Sequence, residues 1–123
     1  MPEQLRLTAG DLTCTVTLLA NATARAILEA LPITGRANRW GDEICFAIPV
    51  ELDEDNAQEV VEVGDLAYWP PGHALCIFWG PTPASRTQES RAASPVNVFA
   101  HIEGEVPNFA AIPTGAEVRL EQA

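Results

Sequence analysis

Residues 64–83 constrain this chain more than any other stretch. They read Gly64-Asp65-Leu66-Ala67-Tyr68-Trp69, then Pro70-Pro71-Gly72, then His73-Ala74-Leu75-Cys76-Ile77-Phe78-Trp79 and Gly80-Pro81-Thr82-Pro83. Two short apolar runs flank a Pro-Pro-Gly turn, and a second proline turn closes the pair. Prolines cannot continue a helix and glycine permits a tight reversal, so the unit reads as strand, turn, strand. Two of the three Trp, the only Tyr and one of the four Phe lie in it. Rigid aromatics at that density line either a packed interior or a shallow groove.

The rest of the chain repeats the strand signal. Residues 4–8 and 11–17 alternate, with Leu12, Cys14 and Val16 on one face and Asp11, Thr13, Thr15 and Thr17 on the other, linked through Ala9-Gly10. Asn21 reads as an N-cap for a helix whose apolar stripe is Ala24, Ile27, Leu28 and Leu31, ended by Pro32. Strand character returns at 33–37 and 42–50, where Ile44, Phe46 and Ile48 alternate with Glu43, Cys45 and Ala47, and again at 96–102 and 118–120. Leu12, Val16, Ile27, Leu28, Ile44, Phe46, Ile77 and Val98 lie on the apolar faces of these elements and are expected in the core. Residues 107–111 can make one helical turn. The acidic stretch 51–62 reads as a solvated hairpin or loop. It lacks the glycine and terminal Glu of a calcium loop. Residues 82–94, poor in large apolar groups, read as a mobile loop. This is one domain over 1–123, mainly β, with about eight strands and one main helix; closing such a sheet into a barrel removes its edges.

Charge excludes some partners. Seventeen acids against seven bases give −10, and every base is an isolated Arg. Without a positive patch to displace counterions, nucleic acid is not an expected partner. No run nears the ~20 apolar residues of a membrane span and no export signal opens the chain, so a cytoplasmic protein is expected. Cys14, Cys45 and Cys76 sit in separate apolar runs and read as buried free thiols. With His73 and His101 they show no metal-ligand spacing, and neither a metal nor a cofactor is expected. Ser85, Ser90 and Ser94 lie in a polar loop without a nucleophile elbow.

Asn38-Arg39-Trp40-Gly41-Asp42-Glu43-Ile44, Gly64–Trp69 with Pro70-Pro71-Gly72, Leu75–Pro83 and Pro95-Val96-Asn97-Val98-Phe99 together resemble the small cyclophilin-like proteins of bacteria and archaea, a group without an established activity. The resemblance implies a closed eight-stranded barrel. By the groove of the true cyclophilins, which are prolyl isomerases, it also implies ligand-binding residues: Arg36, Trp40 and Glu43 at nearly the family spacing, and Ile77 or Phe78 as the floor of a proline pocket. Glu43 stands where the isomerases carry Gln. Val96 stands where they carry His, and no Trp precedes it. The expected function is therefore binding of a small apolar or peptide-like ligand without efficient catalysis. The alternatives are a degenerate prolyl isomerase and a protein–protein module presenting the Tyr68–Trp79 hairpin.

Overall fold

Residues 3–123 are described by a computed structural model; Met1 and Pro2 lie outside the described residues. The strands are Gln4–Ala9 (β1), Leu12–Leu18 (β2), Ile33–Arg36 (β3), Asn38–Arg39 (β4), Glu43–Ala47 (β5), Gln58–Val61 (β6), Asp65–Trp69 (β7), Ala74–Phe78 (β8), Ser90–Ile102 (β9) and Glu117–Gln122 (β10). One helix, Ala22–Ala30 (α1), follows β2, and single 3-10 turns occupy Pro70–Gly72 and Phe109–Ala111. The Asn21 side chain accepts from the Ala24 amide at 2.8 Å, which satisfies one of the four orphan donors at the start of α1.

The strands pair antiparallel in one sheet, in the order β3-β10-β1-β2-β9-β7-β8-β5-β4, with β6 attached to β9. The two ends of that path are consecutive in the chain, separated by Ala37 alone. Ala37 donates to Ala116 O and accepts from Gly115 N, so it stays anchored where β3 leaves β10 and β4 joins β5.

Among the described residues ten strand segments stand where the sequence implies eight, for two reasons. Residues 33–39 pair with different neighbours before and after Ala37 and count twice. Residues 58–61 fall in the expected solvated loop but pair with the first half of β9, which runs past the main sheet and offers an edge. Val61 is buried there while Val60 is 43 % exposed, as a half-covered strand demands.

The core lies on one face of these strands. Leu5, Leu7, Val16, Ile27, Ile44, Phe46, Leu66, Tyr68, Leu75, Ile77 and Phe99 all join it. Leu12 and Leu28, expected in the core, pack at its margin and are only partly buried. Val98, also expected there, faces the other way, toward a second cluster of Val61, Ala67, Ala74, Cys76, Phe78, Ala92 and Val96. β8 is buried at every position because both of its faces are covered. That is why Ala74–Phe78 reads as an unbroken apolar run rather than an alternating one.

Where the sequence implies a mobile loop over 82–94, residues 90–94 instead open β9 by pairing with β6, and 82–89 are tied down internally. The Glu89 carboxylate accepts from the Arg86 and Thr87 amides, the Thr87 hydroxyl and the Arg91 guanidinium. These donors, the Arg86 amide first, hold it well below the usual carboxylate range.

Candidate functional site

The site forms on the face of β5, β8 and β7 that points away from the main core. Cross-strand register decides its contents. Glu43 stands opposite Phe78, Cys45 opposite Cys76, and Cys76 opposite Ala67 on the next strand. Glu43 and Cys45 share this face because they are two residues apart on β5, while Ile44 and Phe46 enter the core. Above the buried layer of Ala67, Ala74 and Cys76 lies a concavity of about 300 Å³, walled by Trp40, Glu43, Cys45, Trp69, Ala92 and Ala93.

Each wall has a local cause. Trp40 sits in the hairpin between β4 and β5, where the Trp40 amide donates to Glu43 O at 2.9 Å. Gly41 makes that hairpin possible. Its φ is +64°, and a Cβ there would stand 2.8 Å from the Thr82 backbone. Trp69 ends β7 and folds over the Pro-Pro-Gly turn. A Cβ on Gly72 would meet its ring at 2.6 Å, so the turn needs glycine to lie under the indole. The Trp69 Nε1–H donates to Ser94 Oγ at 2.7 Å, fixing the ring against β9. Ala92 and Ala93 are held over the concavity by β6–β9 pairing, by Ser90 Oγ donating to Gly80 O at 2.7 Å, and by a bond from the Thr82 hydroxyl to Arg91 O.

The chemistry collects at Glu43. The residue is 3 % exposed; Oε2 accepts a hydrogen bond from the Cys45 thiol at 2.7 Å, while Oε1 is buried with no hydrogen-bond partner among the described residues. Burial pushes the Glu43 carboxyl up, against the smaller pull of the Cys45 and Cys76 thiols. Cys76 is raised well above an ordinary thiol by its hydrogen bond to Cys45 and by burial. For Cys45 the bond to Cys76 pulls down, but burial and the neighbouring carboxylate outweigh it and leave the thiol raised. Among the described residues, one ligand-capable atom each from Glu43, Cys45 and Cys76 lies within 4.8 Å of the other two.

Of the five residues picked from the sequence, Trp40 and Glu43 line the concavity, and Phe78 lies buried in the apolar layer next to it. Ile77 points into the main core. Arg36 is turned aside: its guanidinium donates to Gly115 O at 3.2 Å. The neighbouring Arg39 stacks over Trp79, 5.2 Å from the ring centroid, and Trp79 packs on Phe109, so that third indole belongs to another part of the surface. Val96 is fully buried in the second cluster. Sequence reasoning passed over Cys45, Cys76 and Trp69 as site residues. The alternation of Glu43 with Ile44 could have placed Cys45 beside the carboxylate, but nothing local reveals that Cys76 stands opposite. His73 is exposed in the turn, and His101 is bonded to Asp65, whose carboxyl is raised by burial.

A family model described as Cyclophilin-like matches residues 3–121. The solution structure of the hypothetical protein AF2241 from Archaeoglobus fulgidus is similar over nearly the whole length, with a TM-score of 0.84 and 42% identity, covering 99% of this chain and 95% of that chain. No curated protein matches. No helix among the described residues is long and apolar enough to cross a membrane.

Proposed function

This chain belongs to the cyclophilin-like family, and on that premise we propose that it binds a small, largely apolar or peptide-like ligand in the Trp40–Trp69 concavity without efficient catalysis. The observation that carries this reading is the pairing of two indoles across an apolar hollow of about 300 Å³ with a single carboxyl, Glu43, in its wall. Apolar walls with few fixed polar groups are the usual make-up of a small-molecule site. The preformed geometry supports it too, since Ser94 and Gly72 hold Trp69 in place before any ligand arrives.

Binding rather than isomerisation is favoured by Arg36. A guanidinium that polarises a prolyl amide must face the ligand, and here it is engaged by Gly115 O. The closed eight-stranded barrel is part of the same reading. Counting residues 33–39 as one strand, the path runs through eight strands and returns to its start, with β6 as a flap on β9. Closure of that kind removes sheet edges and gives the outer wall a fixed curvature on which a concavity persists.

The test uses a neutral environment-sensitive naphthalene dye and, separately, a proline-containing tetrapeptide. Each should saturate at one per chain, shift the indole resonances of Trp40 and Trp69, and leave Trp79 unmoved. The tetrapeptide should isomerise at close to its slow spontaneous rate. Perturbation centred on Trp79, or no saturable response to either compound, would overturn the proposal.

A further inference from the structure

Three soft or anionic donors meet on the outer face of β5 and β8, with one carboxylate oxygen among them left without a partner among the described residues. Cys45 and Cys76 stand directly opposite on β5 and β8, Glu43 is two residues from Cys45 on the same face, and the three donor atoms lie within 4.8 Å of one another. Glu43 Oε1 is buried with no partner among the described residues, an arrangement that is costly unless something occupies it. We propose that Glu43, Cys45 and Cys76 are a three-ligand site for one zinc-type cation, leaving a fourth position on the side of the Trp40–Trp69 concavity.

The dimensions suit that cation. Zinc takes sulfur at about 2.3 Å and carboxylate oxygen at about 2.0–2.2 Å, so tetrahedral donors stand roughly 3.5–3.8 Å apart. A cluster already gathered within 4.8 Å, with Cys45 Sγ 2.7 Å from Oε2, reaches that arrangement by side-chain rotation on fixed strands. The donor set selects as well. Two thiolates favour zinc over magnesium or calcium, which prefer oxygen. Binding replaces the thiol protons with one divalent ion, neutralising two of the three negative charges, and a chain of net charge −10 draws cations toward it. Three protein ligands with an open fourth position is the pattern of a zinc site that exchanges a ligand rather than a closed structural one.

The inference goes beyond the ligand-binding reading and does not depend on it, so it is tested with the metal alone. Zinc added to metal-free full-length protein, in competition with a chromophoric chelator, should bind at one per chain. Cobalt(II) in its place should give a thiolate-to-cobalt charge-transfer band in the near ultraviolet. Cys45→Ser and Cys76→Ser should each abolish the band and weaken zinc by more than the roughly 10–100-fold that loss of a supporting contact costs. Cys14→Ser, altering a thiol of the main core cluster, should change neither. If a serine variant does not fold, unmutated protein decides: bound zinc should slow alkylation of Cys45 at least tenfold and leave Cys14 unaffected. Absence of the thiolate band, zinc affinity unchanged in both serine variants, or no protection of Cys45 would each overturn the site. Such failure would leave dye and peptide binding at Trp40 untouched, and loss of that binding would leave the zinc titration standing.

Discussion

The two faces of β5, β7 and β8 are built by alternate residues of the same strands, yet they have opposite characters. The inner face carries Ile44, Phe46, Leu66, Tyr68, Leu75 and Ile77, branched or aromatic groups that fill space. The outer face carries Glu43, Cys45, Ala67, Trp69, Ala74, Cys76 and Phe78, mostly small groups with one large indole at the rim. Even the polar atoms differ. Inside, the Tyr68 hydroxyl donates to Val50 O at 2.7 Å and accepts from Leu52 N at 3.1 Å, so its bonding is complete. Outside, Glu43 Oε1 is left without a partner among the described residues. One face is satisfied and stabilises the fold; the other is left incomplete, as a site that receives something is.

That contrast predicts a gradient of mutational effects. The largest belongs to Phe46→Ala, which empties a ring packed against Gly35 and should cost about 3–5 kcal/mol in urea unfolding. A cost below 1 kcal/mol would mean that the inner face is loosely filled and the contrast false. Next comes Tyr68→Phe, which strands the Val50 carbonyl and the Leu52 amide and should cost about 1–3 kcal/mol.

On the outer face stability and binding separate. Ala93 is exposed at the lip of the concavity. Ala93→Leu should change stability by no more than about 0.5 kcal/mol while weakening dye and tetrapeptide binding at least tenfold. Equal binding by variant and parent would place the ligand elsewhere.

The smallest effect lies in the loop beside that lip. Because the folded-state pKa of Glu89 is depressed, its contribution is present above the unfolded carboxylate value of about 4.3 and fades as pH falls below it. Arg86 and Thr87 amide resonances should shift toward unstructured values on acidification, with Glu89→Ala reproducing the change at neutral pH and the sheet resonances unmoved. A sheet that responds equally would show the loop coupled to the core.

Much of the inner face was legible in the sequence. Alternation in Leu12–Val16 and Ile44–Ile48 set which side is buried, Asn21 and Pro32 bounded the helix, and the Pro-Pro-Gly turn fixed the β7–β8 hairpin. Such features are local, since side-chain direction repeats every two residues in a strand and caps act within one turn. Trp40 and Glu43 were reached through the spacing that the family resemblance implies, and they keep together because they lie on one hairpin closed by Gly41. Val98 was assigned to the wrong face because β9 is covered on both sides, and apolar alternation cannot say which side is the core.

What the chain alone determined, then, is which residues are strand, turn and helix, and which side of most strands is apolar. Tertiary structure decided the rest. Cys45 and Cys76 are thirty-one positions apart (76 − 45) and face each other only through the β5–β8 register, a pairing of strands that no single turn joins. A one-residue slip would turn every side chain of β8 to the opposite side and leave Cys45 facing Ile77 or Leu75. Arg36 and Ile77 were lost to the site in the same way. The direction of a guanidinium depends on the carbonyl it finds, here Gly115 O, and the side taken by Ile77 depends on the pleat it joins. Pattern encodes periodicity, whereas the meeting of distant donors depends on register between strands, which no short window of sequence contains.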